Sequence, residues 1–154
     1  ITSRGLGDVY KRQRLISVVL GASDDETRSR ESQRLLSYGF RYYDTQTLFK
    51  SGEIIESGVK VWYGKEDFID LTIKDNATIT FPRGAKDNLK AIVSINDTLE
   101  APISTGDELG TLEIVLDDET LLSVPLISVD EIQKGNIITR LLDWLVLFFT
   151  NLLS

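Results

Sequence analysis

Carboxylates, serines and lysines are the side chains with which this chain could do chemistry, because its 154 residues include no histidine and no cysteine. Histidine-based triads, histidine metal sites, disulfides and thiolate metal sites are excluded. Two acidic runs stand out, Asp24-Asp25-Glu26 and Asp117-Asp118-Glu119. The first lacks metal-ligand spacing and reads as the solvated, acidic start of a helix, where carboxylates complement the positive helix end. The second reads as a hairpin turn, with no EF-hand spacing around it. The expectation is therefore no metal and no cofactor. Arg83, between Pro82 and Gly84, reads as exposed turn chemistry, with substrate contact the less favoured role. Asn76-Ala77-Thr78 and Asn96-Asp97-Thr98 match the glycosylation sequon by pattern alone.

The totals set further bounds. With 42% hydrophobic and 27% charged residues the chain is globular, and its length suits one domain or a small domain with appendages. A net charge of −7 argues against nucleic-acid binding and gives no general attraction to an anionic membrane. No stretch reads as a signal peptide or a spanning helix. The chain opens on Ile1 and contains no Met, which suggests a fragment or a processed product. Residues 8–13 spell what the DNA string GATGTGTATAAGAGACAG encodes, a string resembling the transposase end used in sequencing libraries. Residues 1–13 are therefore expected to be a non-native, adapter-derived peptide.

The elements follow from periodicity. Residues 15–20 (LISVVL) read as a buried strand ending at Gly21. Ser23 with Glu26 fits a capping box, which opens a helix expected to close at Gly39. From about Thr45 the texture is β. Residues 59–63, with Trp62 and Tyr63 alternating and one of them expected in the core, are followed by 68–73, 78–81, 89–95, 112–116 and 121–129. Short strands at this spacing, with no helices between them, describe an antiparallel β-sandwich or small barrel.

The last stretch, 137–154, is an amphipathic helix. On a helical wheel Ile137, Ile138, Leu141, Leu142, Trp144, Leu145, Val146, Phe148, Phe149, Leu152 and Leu153 share one arc of roughly 200°. Thr139, Arg140, Asp143, Thr150, Asn151 and Ser154 fill the rest, with Leu147 an apolar intruder. The stretch is too short and interrupted for a bilayer span, which takes about 20 apolar residues. It suits the membrane interface, with Trp144 at headgroup depth. The alternative is a helix folded back onto the core. Arg140 and Asp143 cancel, so little salt dependence is expected.

The chain resembles the C-terminal part of the low-molecular-mass penicillin-binding proteins, the serine D-alanyl-D-alanine carboxypeptidases of peptidase family S11. The matching pieces are residues 14–20, 31–43 (ESQRLLSYGFRYY), Val61-Trp62-Tyr63-Gly64, Thr80-Phe81-Pro82-Arg83-Gly84, Ala101-Pro102-Ile103 and the closing helix. They occur in the family's order. The resemblance implies a mainly β chain, with a small antiparallel β-sandwich preceded by a strand-helix remnant of an α/β transpeptidase-like domain and followed by an amphipathic helix. Residues 14–43 are then the last strand and helix of the catalytic domain, 44–130 the β-sandwich, and 131–154 the hinge and membrane anchor.

The family's S-x-x-K, S-x-N and K-[ST]-G motifs belong upstream of residue 14. Ser57-Gly58-Val59-Lys60, Ser94-Ile95-Asn96 and Lys50-Ser51-Gly52 imitate them. S-x-x-K works on a helix, where i and i+3 share a face, whereas Ser57 leads into a strand. The order is wrong as well, since K-S-G comes first. No catalytic residue is expected in this chain, although the parent would be an enzyme that trims peptidoglycan stem peptides. The implied role is a β-sandwich spacer with a peripheral anchor on the periplasmic face of the bacterial inner membrane. The membrane-binding residues would be Ile137, Ile138, Leu141, Leu142, Trp144, Leu145, Phe148, Phe149, Leu152 and Leu153. The alternative is a protein-interaction module that recruits cell-wall enzymes, its terminal helix docking on a partner.

Overall fold

The computed structural model describes residues 7–10 and 13–153, and of these the side chains of residues 7–10, 13, 139 and 149–153 lie outside the description. The elements begin with β1 (Gly7–Tyr10), β2 (Gln13–Ile16), α1 (Asp25–Tyr42), β3 (Tyr43–Phe49), β4 (Ile54–Trp62), β5 (Phe68–Ile73) and β6 (Ala77–Pro82). They continue with β7 (Leu89–Ile95), β8 (Leu99–Glu100), β9 (Glu108–Leu116), β10 (Glu119–Ser128) and α2 (Ile137–Leu153). Two compact units result: Ile1–Gln46 with Ile79–Asn88, and Thr47–Thr78 with Leu89–Ser154.

In the first unit β1 and β2 form an antiparallel hairpin. The expected strand over 15–20 is therefore only partly formed: β2 ends at Ile16, and Val18 and Leu20 are 72% and 88% exposed. A buried strand needs a sheet on both sides, and among the described residues β2 pairs only with β1. Helix α1 starts one residue later than the capping box implied. Asp24 is the N-cap, its carboxylate accepting from the Thr27 N–H at 2.7 Å and the Thr27 hydroxyl at 3.1 Å. Ser23 donates to that carboxylate at 2.7 Å instead of capping. A carboxylate that takes three donors is the better acceptor, so it displaces the serine. Gly39 does not end the helix. A Cβ there would stand 2.6 Å from Leu15 Cδ1, so this glycine serves close packing against β2. Arg83 joins the Ile79–Asn88 segment to the end of α1. Its guanidinium donates to Phe40 O at 3.0 Å and to Asp44 Oδ1 at 3.1 Å. Strands β3 and β6 pair as a two-stranded sheet, and within the first unit the Thr45 and Thr80 hydroxyls lie 2.7 Å apart.

The second unit is a six-stranded sheet in the order β7-β9-β10-β5-β4-β8, antiparallel except for the β4–β8 pair. The alternating residues of the sequence become its core: Val61, Ile69, Leu71, Ile73, Leu112, Ile114 and Leu126 are buried. Ser128 is buried among them and satisfied, its hydroxyl donating to Ser104 O and accepting from the Asp107 N–H. The β9–β10 connection is tight. Leu116 pairs with Glu119, and Asp117 and Asp118 have φ of 46° and 70°, the signature of a two-residue type I′ turn. Glu119 opens β10 instead of belonging to the turn. The chain is mainly β, a β-sandwich-like domain closed by a C-terminal helix.

Candidate functional site

The site lies where β4 ends and α2 begins, within the second unit. Strand β4 stops at Trp62, and Tyr63 turns to φ 62°, a backbone region that a bulky residue enters only under constraint. Neither aromatic enters the core; Val61 does. The constraint on Tyr63 is visible on both sides of its backbone. Its N–H donates to Asp143 Oδ2 at 2.7 Å, and its carbonyl accepts from the Gly135 N–H at 2.8 Å. Gly64 bridges Lys134, and Ile103 bridges Ile132, which is 1% exposed. The segment before α2 is thus strapped to the sheet domain by backbone hydrogen bonds and one buried isoleucine.

These straps fix which way α2 faces. Asp143 and Leu147 are half-buried and share a face with Arg140 at helical spacing. Leu147, the intruder among polar residues, therefore belongs to the docking face. The broad apolar arc is left exposed, from 37% exposure at Leu145 to 83% at Ile137, with Ile138, Leu141, Leu142, Trp144 and Phe148 between them. Trp144 and Phe148 stack along the helix at 5.5 Å. A helix packed on a core buries its apolar stripe; α2 leaves most of its described apolar residues exposed, and Arg140 with them. The side chains of Phe149, Leu152 and Leu153 lie outside the described residues, though the helix backbone continues through them. Among the described residues no helix is long and apolar enough to cross a membrane.

Between α2 and the strand ends lies a cleft of about 580 Å³, lined by Tyr63, Glu100, Ala101 and Lys134 and by Ile137, Arg140, Leu141 and Trp144 of the helix. Sequence reasoning missed Tyr63 and Glu100 as neighbours of the helix, because nothing local links residues so far apart. Arg140 and Asp143 cancel in charge but meet different surroundings. The Asp143 carboxylate is engaged by the Tyr63 N–H, while Arg140 lines the cleft.

The serine patterns are scattered. Ser57 and Lys60 lie in β4, where the pairing with β5 shifts register between Glu56 and Val59. Lys60 Nζ binds Asp67 at 2.9 Å instead of turning to Ser57. Ser94 lies in β7, and the Ser51 hydroxyl donates to Lys74 O at 2.6 Å in a turn. Among the described residues no group of three or more potential metal ligands gathers.

The pattern of the family described as the penicillin-binding protein 5 C-terminal domain matches residues 43–134. This chain belongs to that family. The D-alanyl-D-alanine carboxypeptidase DacC of Escherichia coli (strain K12) is 34% identical over 137 residues, 88% of this chain and 34% of DacC. DacA of the same strain is 34% identical over 139 residues, 90% of this chain and 34% of DacA. A crystal structure of penicillin-binding protein 5 from Haemophilus influenzae superposes with a TM-score of 0.77 at 28% identity, over 83% of this chain and 38% of that one. The chain thus spans about a third of the length of the curated relatives it matches.

Proposed function

We propose that this chain is the non-catalytic C-terminal part of a D-Ala-D-Ala carboxypeptidase whose catalytic part trims peptidoglycan stem peptides. In this reading the β-domain acts as a spacer, and α2 lies in the interface of the bacterial inner membrane on its periplasmic side. The relatives named as carboxypeptidases support the first half. The exposed apolar arc of α2 supports the second and is the observation that carries it. A helix tied to its domain through Asp143 leaves much of its apolar face exposed to acyl chains, so docking needs no unfolding of the β-domain. Each Leu, Ile or Phe that leaves water contributes roughly 1.5–3 kcal/mol, enough for several such residues to hold a peripheral protein. Flotation of the chain with liposomes, with and without α2, tests this. The full chain should rise with the lipid and the truncated chain should stay below. Flotation of both would place membrane contact elsewhere; flotation of neither would favour α2 docking on a protein partner.

A further inference from the structure

We infer that the cleft under the start of α2 receives the headgroup of an aminophospholipid, a phosphate ester tethered to a primary ammonium. The inference deepens the membrane reading and rests on it. Three charged side chains line the cleft, Lys134, Arg140 and Glu100, and among the described residues none of them has an ion-pair partner. Asp143 accepts from the Tyr63 N–H and is not among the residues that line the cleft. The volume, about 580 Å³, falls within the range of small-molecule sites. Ile137, Leu141 and Trp144 belong both to the cleft wall and to the exposed apolar arc, so a molecule in the cleft continues directly onto the surface meant for acyl chains.

The charges select the ligand. A bare phosphate ester would satisfy the two cations and leave Glu100 facing a like charge. A bare amine would do the reverse. A headgroup that carries both signs on one short tether meets all three. A primary ammonium donates hydrogen bonds to a carboxylate, whereas a trimethylated one cannot. The chain's net charge of −7 opposes purely anionic surfaces, which leaves recognition to this local arrangement.

The test is partition of the full chain onto vesicles of phosphatidylcholine alone, or doped with phosphatidylethanolamine or with phosphatidylglycerol. Phosphatidylethanolamine should tighten binding about fivefold over phosphatidylcholine, the scale of one exposed ion pair. Glu100→Gln should bring that ratio to about one. Lys134→Ala with Arg140→Ala should weaken binding to both zwitterionic vesicles. All three positions are exposed, and unchanged thermal unfolding confirms that the variants fold. A Glu100→Gln chain that keeps the phosphatidylethanolamine gain overturns the inference. So does a wild-type chain that gains more from phosphatidylglycerol, since a simple anion would then suffice. Equal wild-type binding to phosphatidylcholine and phosphatidylethanolamine vesicles overturns the headgroup site alone, whereas binding to no vesicle overturns the membrane reading beneath it.

Discussion

Asp143 reaches 80 positions back along the chain to hold the Tyr63 N–H, and that hydrogen bond ties the closing helix itself to the end of β4. Removing a charged acceptor from a part-buried donor costs about 1–2 kcal/mol. Asp143→Ala should therefore loosen α2 while leaving the sheet domain folded. The Tyr63 and Gly135 amides should exchange faster, and the thermal midpoint of the β-domain should barely move. Asp24 acts at the other end of the chain. The Thr27 N–H first, then the Ser23 and Thr27 hydroxyls, hold its carboxyl below the usual aspartate range. Its folded-state pKa is lowered, so the stability it gives α1 is present above the ordinary aspartate value and disappears as pH falls through the lowered one. Protection of the Thr27 amide, relative to its intrinsic exchange rate, should fall in that acidic window, and Asp24→Ala should abolish this change in protection.

Among the elements, the β9–β10 hairpin turns on two aspartates in the left-handed region. Asp118→Gly would leave Asp-Gly, the dipeptide that a type I′ turn favours. It should raise unfolding stability by about 0.5–1 kcal/mol, since glycine enters that region without a Cβ penalty; chemical denaturation measures it. The strands of this sheet were legible in the sequence because alternation such as Leu112, Ile114 and Leu116 reports one buried face directly. The helix caps were less so. Ser23 and Asp24 are adjacent candidates, and only the three donors gathered on Asp24 decide between them. Gly39 carries the same letter whether it caps a helix or admits Leu15, and no local pattern separates the two. Leu147 looked misplaced on the wheel, yet it is half-buried where its apolar neighbours on the arc are exposed. The apolar arc of α2 was fully readable, but its exposure was not.

At the scale of the whole molecule, the chain combines a β-domain with a closing helix whose apolar residues are largely exposed. Lys60 is committed to Asp67, and Ser57 sits on a bulged strand, so the chain should form no covalent adduct with a β-lactam. Mass spectrometry after incubation with penicillin should show the unmodified mass; a penicilloyl adduct on Ser57 would refute this. The central claim is that α2 presents its apolar arc to a membrane while the β-domain stands independently of that arc. Liposome flotation of the full chain beside Leu141→Asp/Leu145→Asp, with thermal unfolding of each, tests it most directly. Wild type should float, and the double variant should remain in the dense fraction with an unchanged β-domain midpoint. A double variant that unfolds the β-domain, or one that floats like wild type, would contradict the account.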